Sequence, residues 1–139
     1  MSYARIDDMV ARFGEREVAQ LTNRDGLDVV DADVLDEALA DANAEVHGYL
    51  ATRYRVPPDP VPRLLVRVAC DVARYRLYDD AAPDEVRRRY EDAVRLLKLA
   101  ADGGISLGED AASPSHPQLA QTVVVSPGLF GRRPNGGLR

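Results

Sequence analysis

The fold is decided by the central stretch VPRLLVRVACDVARYRLY, residues 61–78. Its apolar side chains recur at three- and four-residue intervals and cover a wide arc, which predicts a central helix that is largely buried. Pro62 suits the first turn of that helix, because a backbone N–H is not needed there. Cys70 lies within the apolar run, so we interpret it as a small buried apolar residue.

Two further long helices flank this stretch. Asp31 is predicted to cap a helix over residues 32–54, which carries an apolar stripe formed by Leu35, Leu39, Ala42, Val46, Tyr49, Leu50 and Tyr54. The proline-rich residues 56–60 end it, because proline removes a backbone donor. Pro83 opens the other helix, which Gly103-Gly104 terminate. Asp79 and Asp80 are predicted to cap or begin that helix.

Short helices precede the long ones. Asp7 is predicted to cap a helix that runs to Phe13, where Gly14 interrupts it. A second short helix covers residues 15–21 and ends at the turn-forming cluster 22–26. We therefore predict an all-α fold over residues 1–105. It is a small antiparallel bundle of three main helices, with the short N-terminal helices capping one end.

From residue 106 the pattern changes. Residues 106–139 are rich in Ser, Pro, Ala and Gly and show no helical periodicity, which predicts an extended, largely unstructured C-terminal arm. Its one β-like run could add a strand to a sheet edge of a partner. The candidate residues for partner docking are Thr122, Val123, Val124, Val125 and Phe130.

Composition limits the classes of protein that this chain can represent. It has 139 residues and a single cysteine, which excludes an internal disulfide and a cysteine-based metal cluster. No stretch approaches the roughly 20 apolar residues that span a bilayer, and the N-terminus lacks a secretory pattern, so we expect a cytoplasmic protein without a membrane partner. The net charge of −5 disfavours a general nucleic-acid binder.

No catalytic or metal-binding constellation is evident. His47 has no second metal ligand three or four residues away on its helix, and His116 has no nucleophile beside it. We therefore expect no catalytic activity and no cofactor or metal.

One acidic stripe stands out on the first long helix. Asp33, Glu37, Asp41 and Glu45 recur every four residues. The stripe is either a solvated face or a surface turned toward a channel through which DNA passes, where negative charge would prevent the DNA from sticking.

Basic residues are concentrated on the other two long helices. Arg63, Arg67 and Arg74 share one edge of the central helix, where Asp71 is placed to pair with Arg67. The next helix carries a run that includes Arg87 and Arg88. These arginines form either intramolecular ion pairs or pairs with the acidic stripe of a neighbouring subunit, as a heterologous ring contact requires. A small DNA-binding regulator is a further alternative, which the mostly apolar central helix disfavours.

Several short sequence segments are each common, but their combined order and spacing are specific enough to indicate a protein family. They are RFG at 12–14, QLTNR at 20–24, ALADANAEV at 38–46, GYL at 48–50, VP at 61–62, ACDVARYRLY at 69–78 and VRRRYEDA at 86–93. Through these segments, residues 1–108 resemble the Mu-like prophage head–tail connector (neck) family.

The resemblance implies a structural role and offers no catalytic residues. Connector proteins of this type are small helical adaptors that form a ring below the portal, with an axial channel for DNA. The implied partners are copies of the chain itself, the portal protein, and a tail or stopper protein, while DNA passes without specific binding. The implied locations are the host cytoplasm during assembly and then the head–tail junction of the virion. Tail completion elsewhere in the virion is the alternative role.

Overall fold

The computed structural model describes residues 2–23, 25–54, 58 and 60–107, and these residues form an all-α fold. The predicted fold class is confirmed. Most of the predicted arm, residues 108–139, lies outside the described residues. The helices are α1 Ile6–Phe13, α2 Glu15–Thr22, α3 Ala32–Leu50, α4 Arg63–Tyr78 and α5 Asp84–Ala101, with a 3-10 turn Asp79–Ala81 between α4 and α5.

Helix α4 lies at the centre of the bundle. It packs against α3 and α5 as well as against α1 and α2. Nine of its sixteen side chains are buried, because apolar residues occupy most of its circumference. Cys70 is fully buried, as predicted, and burial raises the pKa of its thiol to about 12. The Asp71 and Arg74 side chains are buried with the apolar ones.

Helices α3 and α5 run in the same direction, opposite to α4. The short turn between α4 and α5 makes those two helices antiparallel. On α3, Glu45 bonds to Tyr90 of α5, and beyond the end of α3 the Tyr54 hydroxyl donates to the Ile105 carbonyl at 3.3 Å. The beginning of α3 therefore lies at the same end of the bundle as the α4–α5 turn.

Helix α3 starts as predicted but ends earlier. The Asp31 carboxylate accepts hydrogen bonds from the backbone N–H groups of Asp33 and Val34, which confirms the predicted cap. The helix ends at Leu50 rather than at residue 54. Residues 51–54 form one further turn, in which the N–H groups of Arg53 and Tyr54 both donate to the Leu50 carbonyl.

Two predicted helix starts are wrong. Arg5, not Asp7, is the N-cap of α1, and its backbone N–H donates to the Asp8 carboxylate at 2.8 Å. Asp79 closes α4 with a φ of 55° and leads into the 3-10 turn, so Asp79 and Asp80 do not begin α5. Asp84 and Glu85 provide the acidic first turn of α5 instead.

The short N-terminal helices pack along the sides of α3 and α4 rather than only capping one end. Gly14 separates α1 from α2 with a φ of 89°, a conformation that favours glycine. Asn43, in the middle of α3, holds the segment before α1. Its buried amide oxygen accepts the N–H groups of Tyr3 and Ala4 at 3.0 and 3.2 Å. One side chain thus satisfies two buried backbone donors.

We expect Asn43→Ala to lower the free energy of unfolding by about 2–3 kcal/mol, because it leaves the N–H groups of Tyr3 and Ala4 buried without an acceptor. Urea unfolding followed by circular dichroism measures the loss. Asp41→Ala is the matched control on the exposed side of the same helix and should stay within about 0.5 kcal/mol of the unmodified chain. A loss no larger than that of the control would contradict the role assigned to Asn43.

Candidate functional site

The acidic stripe of α3 is only partly free at the surface. Asp33, Glu37 and Asp41 are exposed. The fourth member, Glu45, has a side chain only 16% exposed and is engaged within the chain. The acidic face of α3, as we use the term below, therefore consists of Asp33, Glu37 and Asp41.

Glu45 links all three long helices. Its carboxylate accepts hydrogen bonds from the Arg76 guanidinium of α4 and from the Tyr90 hydroxyl of α5, the latter at 3.0 Å. The Tyr90 ring stacks on Tyr75 with centroids 4.1 Å apart and planes 9° from parallel. Burial, together with the hydrogen bond to Glu45, raises the pKa of Tyr90 to about 12, so this hydroxyl stays protonated and donates. The Glu45 network is therefore a structural link between helices.

The five predicted interface arginines fall into three groups. Arg63, Arg67 and Arg88 are exposed and, among the residues that the structure describes, form no ion pair within 4 Å. Arg87 is also exposed but pairs with Asp84 one turn earlier at 2.7 Å. Arg74 is buried. The five arginines therefore do not form one continuous surface.

Arg74 forms the central ion pair of the bundle. Its Nε and Nη2 donate to the two carboxylate oxygens of Glu17 at 2.7 and 3.2 Å, and its guanidinium lies 4.5 Å from the centre of the Phe13 ring. Burial opposes the charged form, but the hydrogen bond and the charge of Glu17 more than offset it and raise the pKa of Arg74. The pair joins α4 to α2. It also engages Arg74 inside the protein, although the DNA-binding alternative requires Arg74 beside Arg63 and Arg67 as a contact to DNA.

Asp71 does not pair closely with Arg67 as predicted. The nearest cation is Arg89 of α5, whose Nε lies 3.2 Å from Asp71 Oδ1, but the geometry is not that of a hydrogen bond and Oδ1 accepts none. Burial raises the pKa of Asp71, while Arg89 and then Arg67 act in the opposite direction. The predicted pair rested on the spacing of four residues between Arg67 and Asp71. The packing of α5 against α4 places Arg89 nearer to Asp71 instead.

Among the remaining candidates, the structure describes only His47. His47 is partly buried, with its Nδ1 3.5 Å from the Tyr3 hydroxyl. Within the described part of the chain, no three His, Cys, Asp or Glu residues are grouped to hold a metal, and no helix is long and apolar enough to cross a membrane. His116 and the docking candidates Thr122, Val123, Val124, Val125 and Phe130 lie outside the described residues.

Comparisons with known proteins extend over nearly the whole chain. A family model described as "Bacteriophage Mu, Gp36" matches residues 3–126. Gene product J of Escherichia phage Mu is 36% identical over 140 aligned positions, which cover 98% of this chain and 99% of the relative. The Mu-like prophage FluMu protein gp36 of Haemophilus influenzae is 36% identical over 106 positions, 76% of this chain and 75% of the relative.

We expect Glu17→Ala to lower the free energy of unfolding by about 3 kcal/mol, because it removes the carboxylate that bonds to the buried Arg74 cation. Asp92→Ala is the matched control. It breaks an ion pair to Arg95 of nearly the same length, 2.6 Å, in which both side chains are 68% exposed, and it should cost less than about 1 kcal/mol. Equal losses of unfolding free energy in urea would show that the ion pair of the buried Arg74 stabilises the fold no more than the exposed pair does.

The raised pKa of Asp71 has a consequence for stability. The folded chain holds this proton to a higher pH than the unfolded chain, so ionisation of Asp71 costs stability as the pH rises through the raised pKa. We expect Asp71→Asn to gain stability relative to the unmodified chain as the pH rises above the ordinary value of 3.8. Urea unfolding across this range measures the difference, and a difference that is constant or falls with pH would contradict the sign.

Proposed function

The chain belongs to the bacteriophage Mu Gp36 family, and on that premise we propose that it is a non-catalytic structural protein that forms a ring between the portal and the tail. It is a Mu-like phage protein, and its role falls in particle assembly. It is made in the host cytoplasm and ends at the head–tail junction. Its partners are copies of itself, the portal protein, and a tail or stopper protein.

The observation that carries the proposal is similarity over the full length of the phage Mu relative, joined to the resemblance of residues 1–108 to head–tail connectors. The alignment covers 98% of this chain and 99% of that relative. Within the described residues, the buried polar groups hold helices together, and the free charges lie on the surface. That distribution favours a protein that works by contact with other proteins.

The acidic face of α3 is our candidate for the channel wall. Asp33, Glu37 and Asp41 are exposed along three successive helical turns. Carboxylates that line a channel repel the phosphates of DNA, so DNA passes without specific binding. Glu45 contributes little to this surface, because Arg76 neutralises it.

The exposed arginines are our candidates for subunit contacts. Arg63 and Arg67 lie one turn apart on α4, and Arg88 lies on the outer side of α5. Arg87 already has an intramolecular partner and contributes less. Arg74 is left out of the interface, because it is buried against Glu17. A ring requires two different complementary patches on each subunit, and the exposed arginines provide the basic one.

Electron microscopy of the purified chain mixed with its cognate portal tests the role directly. We expect a ring of copies on the tail-side face of the portal, with α3 lining the channel. A ring with another helix at the channel would remove the role given to the acidic face. Binding to tail proteins alone would favour the alternative, a tail-completion protein elsewhere in the virion.

Deletion of residues 109–139 tests the proposed docking arm. Because the described helices end before residue 102, we expect helical content by circular dichroism to stay nearly unchanged while assembly onto the portal falls. A second variant replaces only Thr122–Val125 by serines, which keeps the length of the arm but removes its β-like run, and it should lower assembly as well. Undiminished assembly of the deletion variant would reject the arm as a docking element.

A further inference from the structure

The loop between α2 and α3 carries an exposed apolar tip. Leu27 and Val29 are each 63% exposed, more than any other large apolar residue described. Asp25 and Asp28, both exposed, alternate with them. No lysine or arginine occurs anywhere in residues 25–52. The part of the loop that follows Arg24 therefore combines exposed apolar side chains with acidic ones and carries no basic residue.

A groove of about 380 Å³ between α1 and α4 has the opposite character. It is lined by Asp8, Ala11, Arg12, Arg63 and Val66. Ala11 and Val66 give it an apolar part, and Arg12 and Arg63 stand at it as cations. The carboxylate of Asp8 is already engaged with the Arg5 N–H. Arg67 adds a third exposed cation one turn after Arg63.

The loop and the groove lie at opposite ends of α4. The groove contains Arg63, the first residue of that helix. The loop follows α2, whose Glu17 bonds to Arg74 in the last turns of α4, and the Asp31 N–H at the end of the loop donates to the Thr22 hydroxyl. Sixteen helical residues separate the two ends by about 24 Å. A chain therefore cannot place this loop in its own groove.

We propose that the α2–α3 loop of one copy docks in the α1–α4 groove of the next copy. Leu27 and Val29 contact Ala11 and Val66, and the acidic residues of the loop lie beside the groove arginines. The inference rests on the proposed ring and specifies one of its subunit contacts. Each copy offers its loop at one end of α4 and its groove at the other. In the proposed ring a copy gives its loop to one neighbour and receives the loop of the other, so the contact is heterologous.

Charge and polarity together favour a second copy as the occupant. A polyanion such as DNA would match the guanidiniums of Arg12, Arg63 and Arg67, but it would leave Leu27 and Val29 exposed to water. The loop satisfies both surfaces at once, because it brings apolar side chains and carboxylates to a groove that offers apolar side chains and cations. The acidic face of α3 then stays free for the channel.

Cysteine crosslinking tests the contact in the full-length chain. Val29→Cys and Ala11→Cys, both at exposed positions, are mixed on the cognate portal and treated with a short bismaleimide. The native Cys70 contributes little background, because it is buried and its thiol pKa is about 12. We expect covalent dimers in the mixture and none from either variant alone. The matched control mixes Ala11→Cys with Leu99→Cys, which is 46% exposed on α5, and should give none.

The outcomes separate this contact from the ring itself. A dimer from Val29→Cys alone would mean that the loop meets its own counterpart, which overturns the heterologous contact. A control mixture that crosslinks as well as the test mixture overturns it too. A ring seen by electron microscopy without crosslinks rejects the loop–groove contact but leaves the proposed function standing. The absence of both ring and crosslinks rejects both.

Discussion

The whole structure depends on the burial of α4. A helix that is apolar over most of its circumference cannot be covered by two neighbours, and α3 and α5 leave one side open. The short helices α1 and α2 cover that side, although each has only eight residues and would be marginal alone. Their stability must come from packing on α3 and α4. The Arg74–Glu17 pair and the Phe13 ring provide a directional contact that holds them in one place on α4.

Burying α4 also decides what its charged residues do. Asp71 and Arg74 lie on the covered half, so each must be paired or bear the cost of desolvation. Arg74 gains a bidentate carboxylate partner, whereas Asp71 gains only a poorly aligned contact with Arg89. Arg63 and Arg67 lie toward the beginning of the helix, where they remain exposed. The same helix thus contributes internal ion pairs at one end and surface charge at the other.

Periodicity predicted the fold class and the three long helices, and residue type predicted the Asp31 cap, because these depend on residues close in sequence. The partner of Arg74 could not be predicted in this way. Glu17 is 57 residues away, and nothing in the spacing of α2 indicates which side of the bundle it covers. The engagement of Glu45 could not be predicted for the same reason. Arg76 and Tyr90 bind its carboxylate from other helices, whereas Asp41, one turn earlier, is exposed.

The direction of the helices gives the molecule a polarity that a ring can use. Helices α3 and α5 are parallel to each other and antiparallel to α4. The α2–α3 loop and the groove at the start of α4 therefore lie at opposite ends of one rigid helix. Two unlike, complementary patches at opposite ends of a rigid subunit do not meet within one copy, so each patch must be matched by another copy. Whether the series closes depends on the angle between successive subunits. In a ring built on a portal, the template would fix that angle, and the fixed separation of loop and groove would make each added copy repeat it.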